Sequence, residues 1–209
     1  MIPLVNEIYQ SRRVVTESGD SVELSAEIPP EAGLLLYALI KQNNHVAKTL
    51  EVGCANGLSS LHICAGIAGR AGAHHTMIDP VQRSRWLNVG VSNLKRAGFD
   101  FFHLIEDFSE FALPTLLRYY AESFDFIFID GWHTFDHSLV DSFFANRLLA
   151  VGGILALDDA NWTSVNRTAR WLQTYPCYKR VGTTASGRVV ALQKIEKDNR
   201  PWNWDAQSF

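Results

Sequence analysis

Few cysteines, no basic run and no long apolar stretch set the first limits on this chain of 209 residues. Cys54, Cys64 and Cys177 are odd in number and widely spaced, with no CxxC pair. That excludes a disulfide framework and a zinc ribbon and leaves ordinary buried thiols. Lysine and arginine total 19 against 22 acids, a net charge of −3. Without a basic cluster the chain lacks the counterion-release attraction on which nucleic-acid binding rests, so no nucleic-acid partner is expected. No apolar run approaches the ~20 residues of a membrane span. The opening MIPLVNEIYQSRR lacks the basic-then-apolar order of a secretion signal. The expectation is a cytoplasmic protein with no membrane contact, acting on a small molecule.

What is present is a globular composition, 47% hydrophobic and 20% charged, at a length that suits one domain. From Val46 onward short apolar runs alternate with amphipathic stretches, the pattern of a parallel sheet covered by helices on both faces. The clearest strands are Val46–Gly53, His74–Asp79, Asp100–Asp107, Phe124–Gly131 and Gly152–Asp159. Helical spacing predicts helices over Leu58–Ala68, Arg83–Ala97, Phe108–Tyr120 and Thr134–Leu149, the last with Phe135, Leu139, Phe143 and Leu148 as its apolar positions. Tyr178–Gly182 and Arg188–Lys194, joined by a Gly- and Ser-containing turn, read as an antiparallel hairpin. The fold class is therefore α/β: a doubly wound, mostly parallel, Rossmann-like sheet of seven strands with a C-terminal antiparallel hairpin. Residues 1–45 read as an N-terminal helical cap segment, with a helix over Pro30–Gln42 entered through proline, residues 46–195 as the main domain and 196–209 as a tail.

The segment Leu50-Glu51-Val52-Gly53-Cys54-Ala55-Asn56-Gly57-Leu58-Ser59 leaves a buried strand and leads directly into a helix. An open α/β sheet binds its ligand at such a junction. Glycine permits the tight turn and a close backbone approach, and the helix N-terminus offers free N–H groups. A turn glycine and a packing glycine would look the same in isolation, but Asp79 ends the next strand 22 residues past Gly57, where a carboxylate can accept both hydroxyls of a ribose. The dinucleotide fingerprint GxGxxG is missing, because Ala55 and Leu58 stand where it needs glycine. That weighs against a nicotinamide-dependent oxidoreductase.

The spacing of Glu51, Gly53 and Gly57, an acid, one residue, glycine, three residues, glycine, resembles the first motif of the class I S-adenosylmethionine-dependent methyltransferases. That superfamily also closes its sheet with an antiparallel hairpin. The resemblance covers about residues 28–194 and implies S-adenosylmethionine as cofactor. It implies contacts from Glu51, Gly53, Ala55, Gly57, Asp79 and Asp130, and contact of the third strand's end, at Asp107, with the adenine; helix capping is the competing reading of Asp107.

At the reacting end, Asp130 closes an apolar strand in Phe128-Ile129-Asp130-Gly131-Trp132-His133, and Asp158 and Asp159 close the next. Three gathered carboxylates repel one another unless a cation or a cationic substrate lies between them. Oxygen ligands suit Mg²⁺, Mn²⁺ or Ca²⁺. Asp130, Asp158 and Asp159 match the three metal positions of the cation-dependent O-methyltransferases, which this part of the chain resembles. His133 falls where the catechol-specific members carry a lysine base, so the resemblance implies His133 and Asp130 as catalytic residues. The wider pattern FIDG.H followed by LL..GG....DD is similar to a broad group of bacterial methyltransferases acting on small metabolites or sugars. The expected activity is methyl transfer to a small acceptor at a hydroxyl oxygen, assisted by a divalent cation. Three alternatives are carried: a nicotinamide oxidoreductase, a metal-dependent hydrolase built on His133, Asp136 and His137, and a non-catalytic S-adenosylmethionine-binding protein. Trp132, Phe135, Trp162, Trp202 and Trp204 are candidates for an acceptor pocket or for core packing, and a homo-oligomer stays open.

Overall fold

The computed structural model describes residues 2–205; Met1 and 206–209, the end of the expected tail, lie outside the described residues. The chain opens with α1 (Pro3–Ser11), a short antiparallel pair β1 (Arg13–Val15) and β2 (Ser21–Glu23), and α2 (Pro30–Gln42). Strand and helix then alternate through β3 (Lys48–Val52), α3 (Leu58–Ile67), β4 (His74–Ile78), α4 (Val89–Arg96), β5 (Phe102–Ile105), α5 (Ser109–Tyr120), β6 (Phe124–Ile129), α6 (Phe135–Leu148), β7 (Leu149–Leu157) and α7 (Thr163–Leu172). The hairpin β8 (Tyr178–Thr183) and β9 (Val190–Lys194) closes the fold. The main sheet runs β5-β4-β3-β6-β7-β9-β8, its first five strands parallel and β9 antiparallel to both β7 and β8. This is the seven-stranded sheet expected from the sequence.

Strand alternation divides the core in two. On β6, Phe126 and Phe128 join the cluster formed with α1 to α4, while Ile127 and Ile129 join the cluster formed with α5, α6 and α7. All four residues are buried, which is why the run reads as continuously apolar. Burial of each stabilises the fold by roughly 2 kcal/mol. The first helices share this core: Val5, Ile8, Leu36 and Ile40 pack with Leu61 and Ile63 of α3. The Arg70 guanidinium closes the end of α2 by donating to the carbonyls of Ile40, Asn43 and Val46.

Three expectations shift. β1 and β2 are three residues each, too short to show alternation, and α1 was likewise not anticipated. The helix expected from Arg83 starts only at Val89; Leu87 and Asn88 adopt left-handed φ of 50° and 57°, which break a helix entered from Pro80. In α6 the expected apolar positions do not form one inner face. Leu148 is buried in the core, but Phe135 and Phe143 are 38% and 41% exposed, and the rest of the buried face is Ser138, Asp141, Ser142, Ala145 and Asn146. Small and hydrogen-bonding side chains let α6 approach its neighbours closely; the Ser138 and Thr168 hydroxyls meet at 2.7 Å.

Strand order reverses at β3, which has β4 on one side and β6 on the other. In an open α/β sheet the crevice beyond the carboxyl ends at such a reversal is where ligands bind. The loops after β3, β4, β5, β6 and β7 therefore frame the site.

Candidate active site

The loop from β3 to α3 owes its shape to two glycines. Gly53 has φ +80°, and a Cβ there would overlap the Asp130 carbonyl oxygen, so only glycine lets the ends of β3 and β6 touch. Gly57, at φ +76°, approaches Gly90 of α4 so closely that an added Cβ would lie 2.8 Å from its Cα. Between them Ala55 takes φ +41°, a left-handed conformation normally given to glycine. The position that argued against a dinucleotide fingerprint is thus glycine-like in backbone though not in identity.

Asp79 is buried where β4 ends and faces this loop. Its Oδ2 accepts from the backbone N–H of Ala55 at 2.9 Å and of Cys54 at 3.2 Å, and its Oδ1 from Val81 N–H at 3.0 Å. Gln82, fully buried, donates from Nε2 to the Ala55 carbonyl at 2.6 Å and to Asp79 at 3.2 Å. Sequence reasoning missed Gln82, since a single glutamine after a Pro carries no spacing signal. Asn56 donates from Nδ2 to the Ser25 carbonyl, drawing the segment before α2 over the loop. Ala26, Ile28, Cys54, Asn56, Ser59 and Asp130 thereby line a narrow cavity at the switch point.

Glu51 points the other way, into the interior beneath the loop. Ser60 donates to its Oε2, and His75 Nε2 lies 3.1 Å from the same oxygen, all three side chains being buried. Asp107 is exposed and accepts from the N–H of Phe108 at 2.8 Å; it does not supply the side-chain cap of α5, whose N-cap position is Phe108.

At the reacting end the structure brings together Asp130, His133 and Asp159, one ligand atom of each lying within 4.8 Å of the others. His133 Nε2 is 3.3 Å from Asp159 Oδ2, and the imidazole packs 5.3 Å from the Trp162 ring. Asp159 takes φ +49°, which turns its side chain back toward His133. Asp158, the third carboxylate of the expected trio, is not in this group. Its side chain is fully buried and held by Arg188, which donates from Nε to Oδ1 and Oδ2 at 2.9 and 3.0 Å and from Nη2 to Oδ2 at 2.6 Å. Arg188 Nε also lies 3.3 Å from Asp159 Oδ1. It stands just before β9, and the pairing of β9 with β7 carries it alongside residues more than 25 positions earlier. Nothing local in the sequence announced that contact.

Charge in this corner is incompletely balanced. Burial raises the Asp130 carboxyl well above its usual range, reinforced by Asp158, Asp159 and Glu51 and opposed by Arg188. Asp159 is raised too, by burial and by Asp158, against the pull of Arg188 and His133. The bond to Asp158 raises the Arg188 guanidinium in turn, so it stays cationic. Two carboxylates disfavoured as anions beside an imidazole form an N/O donor set that a divalent cation fits.

Trp132 and Trp162 are more than half exposed at this end of the sheet. His137 is tied to its own helix start, its Nδ1 2.7 Å from the Thr134 hydroxyl, and stacks near Trp132. Trp202 and Trp204 do not reach the site. They line a cleft with Arg147, Trp171 and Arg200, at the far ends of α6 and α7, where Trp204 packs on Tyr175.

A family model described as a methyltransferase domain matches residues 50–160, more than half of the chain, including the loops after β3 to β6 and both acids after β7. The chain belongs to that family. It is an S-adenosylmethionine-dependent methyltransferase of class I, and none of the three alternative readings finds support. Solved structures with the same fold include an O-methyltransferase from Bacillus cereus in complex with SAH, at 18% identity and TM-score 0.70 over 91% of this chain and 90% of that one. They also include the SAH-bound Podospora anserina methyltransferase PaMTH1, at 17% identity and TM-score 0.70 over 94% and 89%. A third is the O-methyltransferase TomG from Streptomyces achromogenes, involved in tomaymycin synthesis and in complex with SAM, at 18% identity and TM-score 0.68 over 81% and 82%. Among curated protein sequences there is no significant match. No helix among the described residues is long and apolar enough to cross a membrane.

Proposed function

We propose that this methyltransferase binds S-adenosylmethionine across the β3–β6 switch point and transfers its methyl group to a hydroxyl oxygen of a small-molecule acceptor. The observation that carries this reading is the double position of Asp130: it lines the narrow cavity beside the glycine loop and also belongs to the cluster with His133 and Asp159. One residue thus joins the donor site to the acceptor site. Asp79, held by loop N–H groups, is the ribose acceptor, while the loop backbone around Gly53, Ala55 and Gly57 approaches the methionine part of the cofactor. Asp107 lies at the adenine side. Glu51 acts from below, holding the loop through Ser60 and His75.

Methyl transfer asks the protein to align an oxygen nucleophile with the sulfonium methyl and to take its proton. His133, oriented by Asp159 through Nε2, is the proton acceptor in the cluster as it stands. Asp130, His133 and Asp159 are the residues that would hold a divalent cation; such an ion, when bound, lowers the pKa of a coordinated hydroxyl. With an ion there, His133 would serve as a ligand rather than as the proton acceptor. Among the described residues, those up to 45 serve as a cap over the loop, 46–195 as the catalytic domain and those from 196 as a tail. The B. cereus and S. achromogenes neighbours, both O-methyltransferases, support oxygen as the attacked atom. The exposed Phe111 and Phe143 on neighbouring helices support a homo-oligomer, and the acidic balance supports an enzyme without a nucleic-acid partner.

Calorimetric titration of the purified protein with S-adenosylmethionine, S-adenosylhomocysteine and NAD, each with and without a divalent cation, tests the reading. Micromolar binding of the first two and none of NAD is expected. Binding of NAD alone would overturn it.

A further inference from the structure

Arg188 divides the acid cluster. Both oxygens of Asp158 are engaged by one planar guanidinium, and the Asp158 side chain has no exposed surface. The backbone holds the same pairing, because Ala160 N–H donates to the Arg188 carbonyl at 2.7 Å. A metal ion cannot recruit Asp158 without breaking a bidentate ion pair whose carboxylate is fully buried. What remains is Asp130, Asp159 and His133: two carboxylates and an imidazole, whose ligand atoms already lie within 4.8 Å of one another.

We propose that Arg188 sets the cation specificity of this site: by holding Asp158 it converts a three-carboxylate cluster into an N/O donor set that selects a transition-metal dication over Mg²⁺. The inference rests on the reading that the cluster takes a divalent cation. Two physical terms act together. Mg²⁺ demands oxygen ligands in near-ideal octahedral array and dehydrates reluctantly, so replacing a carboxylate by imidazole disfavours it, whereas imidazole suits Fe²⁺, Ni²⁺ and Zn²⁺. The fixed positive charge of Arg188 beside Asp159 opposes every added cation, and the weakly bound Mg²⁺ has no nitrogen ligand to offset that repulsion.

The test is direct titration of the metal-free protein with MgCl₂ and with CoCl₂, followed by calorimetry and, for Co²⁺, by its visible absorption, which changes when a ligand is exchanged. Wild type is expected to bind Co²⁺ and to bind Mg²⁺ weakly. Arg188→Met should raise Mg²⁺ affinity on the order of tenfold, and Arg188→Met with Asp158→Asn should lose most of that gain, keeping only the part that comes from removing the Arg188 charge. His133→Asn should lower Co²⁺ affinity on the order of tenfold and change its absorption, leaving Mg²⁺ within about twofold. Should Arg188→Met fail to fold, the His133→Asn arm and Arg188→Gln carry the same comparison. The proposal is overturned if Arg188→Met and Arg188→Gln leave Mg²⁺ affinity unchanged, or if His133→Asn leaves Co²⁺ binding and its spectrum intact. S-adenosylmethionine titration of the same samples separates the two levels: retained cofactor binding with the wrong metal pattern sinks only this inference, whereas lost cofactor binding in wild type sinks the functional reading.

Discussion

Asp141 of α6 is buried to 1% exposure beneath Gly131, yet neither carboxylate oxygen has a hydrogen bond of good geometry. Burial raises its pKa to about 6, the nearby Ser109 hydroxyl and His137 offsetting only part of the effect and Glu110 adding to it. An unfolded aspartate titrates near ~3.9. Between about pH 4 and 6 the native state holds a proton that the unfolded state has released, so stability falls as pH rises through that window and the full penalty applies above about 6. Two pKa units correspond to about 3 kcal/mol. Asp141→Asn removes the charge but leaves an amide that also needs partners, which reduces the gain to about 1–2 kcal/mol, or roughly 2–8 °C in Tm for a domain of this size. Thermal melts by circular dichroism at pH 4, 5, 6 and 7.5 read this out: the variant should exceed wild type at pH 7.5 and converge with it near pH 4. A variant less stable at pH 7.5, or offset equally at every pH, would refute the reasoning.

Further outcomes follow from the site and its supports. Gly53→Ala places a Cβ into the Asp130 carbonyl and a side chain at φ +80°, so it should destabilise by at least ~2 kcal/mol and lower S-adenosylmethionine affinity more than tenfold, measured by melts and calorimetry. Asp79→Ala should weaken cofactor binding more than Asp130→Ala, which should abolish turnover; equal cofactor loss in both would show that the division of labour is wrong. Lys194→Met removes a buried ammonium that donates to the carbonyls of Asn146 and Leu149 at 2.8 and 2.9 Å. Stranding two buried acceptors should cost about 2–4 kcal/mol in denaturant unfolding.

The parts of this protein that were legible are those with local signals. β6 could be read because the apolar run from Phe126 to Ile129, closed by Asp130, is too short for a buried helix and suits a strand covered on both faces. The β3–α3 loop was legible because glycine at 53 and 57 answers a backbone demand. α6 was found as a helix, with Leu148 buried as expected, but its face was only partly right: Phe135 and Phe143 look outward, and the burial of Ser138, Ser142 and Ala145 was chosen by the closeness of α5 and α7. Hydrophobic periodicity identifies a helix, but the space available between neighbours decides which stripe is buried. β1 and β2 were invisible because three residues carry no period.

The alternation of strands and helices from β3 to β7, the glycine loop, Asp79 after β4 and the acids after β6 and β7 were determined by the sequence alone, since each depends on residues within one turn or strand of each other. Which acids act together was decided only by the tertiary structure. Arg188 reaches Asp158 because an antiparallel hairpin returns the chain beside β7, and His133 replaces Asp158 in the cluster because Asp159 turns toward it. Charge pairing between distant segments depends on distance in space, and the fold sets that distance at positions where the sequence places nothing adjacent.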